Sequence, residues 1–324
     1  MDEPVSRDDA LRHIRFAGRA KDPSARCAHR AQAHPDRARP AALRTSEPAD
    51  PFLAWVLHRA GLAAESYRGR PLQRRLAACL RALHANTEAQ ARQRLTQRPD
   101  LLPSAISALL IGVTDFFRDQ PVFDALRRQV LPELARPARP LRIWSAGCSS
   151  GAELYSVAIL LDQAGLLAKS HLLGTDCRED AITDARECLY SSHELRGMEP
   201  SPRRRHFEPV GALWRPIEPL RRRVHWKVAD LNRGVEDGPW DMILWRNMAI
   251  YLTAEAAGPI WRGLVSALAH GGVLVVGKAE RPPVELPLTC MARCIYRAAP
   301  AAAETTTQRI RRDPRVSRAS EKLV

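Results

Sequence analysis

The stretch Arg142-Ile-Trp-Ser-Ala-Gly-Cys-Ser-Ser-Gly-Ala-Glu-Leu-Tyr-Ser156 decides how the chain reads. A short apolar run, 141–144, breaks into small residues, and an amphipathic helix begins near Ser150. Small residues at such a turn let a ligand approach the backbone, and the free N–H groups of a new helix then face that ligand. Asp176 follows 25 residues after Gly151 and closes a second apolar run, His171-Leu-Leu-Gly-Thr175. A carboxylate in that place can accept both hydroxyls of a ribose. The pattern predicts a nucleoside pocket in an α/β sheet. The spacing Gly147-x-x-x-Gly151 is not G-x-G-x-x-G, which argues against a pyrophosphate-bearing dinucleotide.

Outward from this stretch, apolar runs alternate with helical periodicity. Strands are expected at 141–144, 171–175, 224–228, 241–244 and 273–276, and helices at 151–165, 180–188 and 253–270. That alternation implies a parallel sheet covered on both faces, and 284–296 reads as a closing hairpin. The segment 191–223 is rich in Pro and Arg, breaks the rhythm and is expected to form a small inserted subdomain. Upstream the pattern is helical. Phe52, Trp55, Val56 and Leu57 form a stripe ending at Gly61, and Leu72, Leu76, Leu80 and Leu83 repeat at helical spacing. Further helices are expected at 87–98, 101–111 and 122–134. The expected organisation is a disordered tail at 1–48, a helical N-terminal domain at 51–136, an α/β domain at 138–298 and a loose basic tail at 301–324.

A chain of 324 residues can hold one large α/β domain and a smaller one. No apolar run reaches the roughly 18 residues of a membrane span, and the polar N-terminus lacks a signal-peptide core. The cytoplasm is therefore expected, with no membrane insertion. Seven scattered cysteines (27, 79, 148, 177, 188, 290, 294) suggest reduced thiols rather than a disulfide framework. Nothing near Cys290 and Cys294 completes a metal site, so no metal is expected. The net charge is +14, and only five of the 50 basic residues are Lys. Such a balance suits a polyanionic or acidic partner. Aromatics do not interleave with the Arg clusters as base stacking requires, so an acidic protein is expected rather than nucleic acid.

Four segments in order carry a resemblance: Thr114-Asp-Phe-Phe-Arg-Asp119, Trp144-Ser-Ala-Gly-Cys-Ser-Ser-Gly151, Gly174-Thr-Asp176 and Arg246-Asn-Met-Ala-Ile-Tyr251. Together they make the chain, from about residue 51 to 298, similar to the chemotaxis receptor methyltransferases of the CheR type. The resemblance implies a Rossmann-like, S-adenosylmethionine-dependent methyltransferase sheet with an N-terminal helical domain and an inserted β-subdomain at 191–223. It implies S-adenosylmethionine as methyl donor and receptor glutamates as acceptors, carried on a chemoreceptor cytoplasmic helical bundle or a similar acidic coiled coil. Position by position, it places donor contacts at Thr114, Arg118, Gly147, Glu153 and Asp176. It adds Asp230 and Leu231 after the third strand and Asn247 and Met248 after the fourth. The basic helix around Arg70, Arg74, Arg75 and Arg81 would grip the acidic receptor.

The chain departs from the family pattern at several places. Gly112 replaces an Asn, Ala152 replaces the first carboxylate of a Glu-Glu pair, and Asp230 replaces an Asn. Gly277-Lys-Ala-Glu280 stands for Gly-His-Ser-Glu. These changes keep a second reading open, a donor- or receptor-binding regulatory homologue with little or no turnover. A nucleic-acid aminomethylase would carry an Asp/Asn-Pro-Pro-aromatic segment where Arg246-Asn-Met-Ala stands.

The implied chemistry asks for few side chains. A glutamate, with a reference pKa of about 4.3, is ionised at pH 7 and needs no general base. The demand is an in-line approach of carboxylate to methyl. Arg118 is the candidate for holding the acceptor carboxylate by its edge, and Tyr251 is the second positioning candidate. Plainer roles compete. Glu153 lies at capping-box distance from Ser150, Arg118 could pair with Asp115 or Asp119, Phe116 and Phe117 could be core, and Lys278 could be a solvated rim residue.

Overall fold

The apolar run at 141–144 forms strand β1 (Arg142–Ala146), and the run closed by Asp176 forms β2 (His171–Asp176). A hairpin follows, β3 (Phe207–Val210) and β4 (Leu213–Pro216), and then β5 (Val224–Val228), β6 (Trp240–Trp245), β7 (Leu268–Val276), β8 (Leu288–Ala292) and β9 (Ile295–Ala298). The computed structural model describes residues 50–110, 114–136 and 139–299. Both expected tails, Cys27 and the substitution at Gly112 lie outside the described residues.

Seven strands form one sheet in the order β5-β2-β1-β6-β7-β9-β8. The first five pair in parallel and the last two are antiparallel. From β1 the chain winds outward through β2 and β5, then returns to β6 on the other side of β1. The carboxyl ends of β1 and β6 therefore flank a topological switch point, where open α/β sheets hold their ligands. Helices α1 (Ala152–Gln163), α2 (Glu179–Glu187) and α3 (Ala254–Ser266) occupy the three expected helical intervals.

The last of these helices is shorter than the sequence suggests. It stops at Ser266 because β7 already begins at Leu268, opposite Trp240. Gly271, at φ +71°, sits where the β6–β7 register shifts, and this Gly-Gly pair reads as a turn in sequence although it is an irregularity inside a strand. Two upstream expectations also change. The run around Leu72–Leu83 is not one helix: Gly69–Gln73 and Leu76–Ala82 are separated at Arg74–Arg75, where Arg75 Nε donates to the carbonyl of Ala108 (3.0 Å). The helix expected at 122–134 contains a widened turn, Leu126–Val130, just ahead of Pro132, which has no N–H to give. The insert is built on the β3–β4 hairpin, and Tyr190 bridges to Trp214 on its edge.

Packing beneath the first two strands is tight. The Trp226 ring of β5 lies against both Gly174 and Gly151, so that a methyl at either position would overlap it. Trp144 is fully buried in β1 and donates its indole N–H to the Thr175 hydroxyl (2.9 Å). We expect Gly174→Ala to cost about 1–3 kcal/mol, as overpacked cores do, seen as a lower thermal midpoint. At the opposite end of the sheet His171 stacks on His225 with ring centroids 5.0 Å apart. Burial, then the His225 and Arg142 charges, push the His171 pKa below its ordinary 6.5. Its proton is bound more weakly folded than unfolded, so stability is whole above pH 6.5 and falls as pH drops through that value toward the folded pKa. His171→Gln should flatten that part of a denaturant-midpoint profile between pH 7 and 5.

Candidate functional site

The turn after β1 folds back on β2. The N–H groups of Gly147 and Cys148 both donate to the Thr175 carbonyl (2.8 Å each), that of Ser149 to Asp176 Oδ2 (2.9 Å), and that of Gly151 to the Cys148 carbonyl (3.0 Å). These four turn amides are spent inside the protein; the helix itself begins at Ala152, and its own first N–H groups are a separate set. Gly151 is needed for its left-handed φ of +88° and for the Trp226 ring, not for ligand approach.

Beside this turn lies an open crevice enclosing about 690 Å³ when the adjoining solvent is included. Eight of the expected residues line it: Thr114, Arg118, Gly147, Glu153, Asp176, Asn247, Met248 and Tyr251. Two do not. Asp230 accepts the backbone N–H and side-chain amide of Asn232 (2.9 and 3.1 Å), and Leu231 packs on the core. An Asp two residues before an Asn closes its own turn, which competes with reaching a ligand. Asp230 still lies near enough to the crevice to act on Tyr67 and Cys177.

Each carboxylate of the crevice is already partnered. Asp176 Oδ1 accepts from the Arg178 backbone N–H (3.0 Å) and Nε (3.1 Å), and Oδ2 accepts from Ser149. A carboxylate offers about four acceptor positions, so one is left for a ribose. Glu153 is not a cap: the helix starts behind Gly151 with no side-chain cap. Its Oε1 instead accepts from Ser145 Oγ (2.8 Å), and its Oε2 from Arg246 Nη1 (2.9 Å).

Arg246 is buried and holds the 118–119 loop. Its Nη2 donates to the Arg118 carbonyl (2.8 Å) and to Asp119 Oδ2 (2.9 Å). Phe117 and Asp119 are both left-handed, at φ +55° and +68°, a conformation that costs free energy unless its surroundings fix it. Lys278 is not merely a rim residue, since it pairs with Asp119. Burial works against the Asp119 charge, but the Lys278 hydrogen bond and the charges of Arg246, Lys278 and Arg118 outweigh it and lower its pKa. Asp115 is taken by Arg196, and Phe116 is core, edge-on to Tyr190 and Phe207.

Tyr251 and Arg118 line the crevice, and the charge of Arg75 reaches Tyr251. Burial pushes the Tyr251 phenol up while the Arg75 and Arg118 charges pull it down, and the net shift is upward. Its hydroxyl is therefore a hydrogen-bond donor at neutral pH. Arg70 and Arg74, with Arg68 and Arg281, line a broader groove that shares Leu252 with the crevice. Arg81 is exposed and lines neither hollow.

Sequence reasoning missed four residues. Arg246 was inside the recognised Arg-Asn segment, and Glu280 inside the segment after β7. Arg178 and Tyr67 had no signal of their own. Glu280 is buried and accepts three backbone N–H groups: Asn247 (2.8 Å) and Gly277 (2.7 Å) on Oε2, and Ala249 (2.8 Å) on Oε1. It thereby holds Asn247 at φ +60° and sets the path to Tyr251. A nucleoside carrying a cationic sulfur fits this lining: two carboxylates stand on one wall, and Met248 folds against Gly147, which has no room for a side chain. Glu280→Gln should leave at least one of the three N–H groups facing an amide N–H. Each buried group so orphaned costs about 1–3 kcal/mol, so we expect a lower thermal midpoint and at least roughly tenfold weaker calorimetric affinity for S-adenosylhomocysteine.

Comparison with known proteins agrees with this geometry. The profile described as CheR methyltransferase, SAM binding domain, matches residues 112–291, more than half of the chain. A chemotaxis protein methyltransferase of Listeria monocytogenes is 30% identical over 222 residues, covering 68% of this chain and 85% of that protein. Chemotaxis protein methyltransferase 1 of Pseudomonas aeruginosa is 33% identical over 218 residues, covering 63% and 80%. A probable biofilm formation methyltransferase, WspC, of Pseudomonas putida is 31% identical over 235 residues, covering 71% and 55%. With the donor crevice at the switch point of the sheet and S-adenosylmethionine as its cofactor, the chain belongs to the CheR methyltransferase family.

Proposed function

We propose that this methyltransferase esterifies glutamate side chains on the cytoplasmic helical bundle of a chemoreceptor-like protein. The observation that carries the reading is that Arg118 and Tyr251 both line the crevice, with the Arg75 charge acting on Tyr251, beside a groove lined by Arg68, Arg70 and Arg74. In this reading residues 51–136 serve as the receptor-facing part and 138–298 as the donor-binding part, with the 191–223 insert beside it. No helix among the described residues is long and apolar enough to cross a membrane, and we place the reaction in the cytoplasm.

When bound, S-adenosylmethionine supplies an activated methyl group on a cationic sulfur. Asp176 takes a ribose hydroxyl with its remaining lone pair. Glu153 contributes negative charge near the sulfur, while Thr114, Gly147, Asn247 and Met248 shape the cleft. Arg118 orients the acceptor carboxylate without neutralising it fully, and the Tyr251 hydroxyl donates from the side. No residue has to remove a proton, because the acceptor arrives ionised. The work is positioning, which can supply several powers of ten in rate. Arg70 and Arg74 steer an acidic helix into the groove and fix its register. Arg81 would add long-range attraction only.

A second reading, a binding homologue with little turnover, is favoured by one observation. Arg178 already occupies the ribose carboxylate, and a ligand has to share it.

Incubation with methyl-labelled donor and receptor cytoplasmic fragments tests the choice. The receptors should span chemotaxis and biofilm signalling, the two settings named among the relatives. Base-labile label on glutamates is expected. Arg118→Ala should lower kcat/KM by about 100-fold or more, and the double charge reversal R70E/R74E should raise the receptor KM while leaving kcat unchanged. Tight product binding without label on any receptor would favour the second reading and defeat the first.

A further inference from the structure

The phenol of Tyr67 is the polar group of the crevice that the reaction leaves unused. Tyr67 is 5% exposed and lines the cleft. Its backbone is pinned: Tyr67 forms an antiparallel bridge with Leu252, the Thr253 N–H donates to the Ser66 carbonyl (2.8 Å), and the Arg68 N–H donates to the Tyr251 carbonyl (2.8 Å). This short zipper fixes the ring from the helical side, in the same stroke that fixes Tyr251. Among the described residues the Tyr67 hydroxyl has no hydrogen-bond partner. It lies close to Cys177, Asp230 and Asp176, whose charges add to burial in raising its pKa. It is therefore protonated across the neutral range and sits among acceptors.

A buried phenol ordinarily finds a partner for its O–H, and this one opens on the cleft, where a ligand can supply it. Its charged neighbours are the carboxylates of Asp176 and Asp230 and the Arg178 guanidinium, which is tied to Asp176. Asp176 suits ribose hydroxyls, and Asp230, where the family has an amide, can take an exocyclic amine but cannot donate. We infer that Tyr67 donates its hydroxyl to a ring nitrogen of the donor's adenine, supplying from the helical segment the hydrogen bond that an aspartate at 230 cannot give. The inference rests on reading the crevice as the S-adenosylmethionine site.

Calorimetry with S-adenosylhomocysteine and the full chain tests it. Tyr67→Phe keeps the ring and removes one oxygen that no protein group bonds, so its thermal midpoint should match that of wild type. Its affinity for S-adenosylhomocysteine should fall about tenfold. The 1-deaza and 3-deaza analogues between them remove either ring nitrogen. One of them should bind wild type about tenfold more weakly than the natural product and bind Tyr67→Phe no more weakly than the natural product does. Equal affinity of wild type and Tyr67→Phe would overturn the inference and leave the donor site standing. Full additivity of both analogues with the substitution would also overturn it. Absence of binding to wild type would remove the inference together with the reading beneath it.

Discussion

The buried guanidinium of Arg246 ties together three stretches of chain that must meet for the cleft to exist. It emerges from the end of β6, grips Glu153 at the start of the helix after β1, and holds both the Arg118 carbonyl and the Asp119 carboxylate. Such a group has to be fully paired, since a lone buried charge is costly and a half-satisfied network is worse than none. Only its Nε lacks a partner. Every other feature of the site follows from this junction. The left-handed turn at 117–119 is held open, the side chain of Arg118 is left to the cleft, and Glu153 is kept from capping its own helix. Lys278 strengthens the arrangement from outside through Asp119.

The same economy shapes the electrostatics of the cleft. Its two carboxylates face a cationic ligand, yet each is shared with a guanidinium of the protein, Asp176 with Arg178 and Glu153 with Arg246. With Arg118, Arg178 and Arg246 in the same lining, guanidinium groups outnumber the two carboxylates.

Much of this was legible from residue order. The strand at 171–176 carries the apolar pair Leu172–Leu173, and that at 224–228 alternates apolar Val224, Trp226 and Val228 with His225 and Lys227. The segments ending in Arg118, Asp176 and Tyr251 were legible too, because chemistry fixes residue types at fixed spacing. What stayed hidden depends on contacts between distant segments. Ser150 and Glu153 have the spacing of a cap, and only the arrival of Arg246 from 93 positions away shows why Glu153 turns elsewhere. Asp230 matches a family position but satisfies itself with Asn232. Gly271 and Gly272 look like a turn and lie within a strand, because the neighbouring strand decides, not propensity. Tyr67 is an ordinary tyrosine until its backbone is seen zipped to Leu252.

That zipper sets the order in which the molecule can be completed. Positions 67 and 252 lie about 185 residues apart in the chain, and loop closure over such a distance is slow compared with local helix formation. On the ribosome the helical segment is made long before its partner exists, so the roof of the cleft closes only after most of the sheet has been synthesised. A nascent chain thus lacks the bridge between Tyr67 and Leu252 until β6 and the turn after it have emerged.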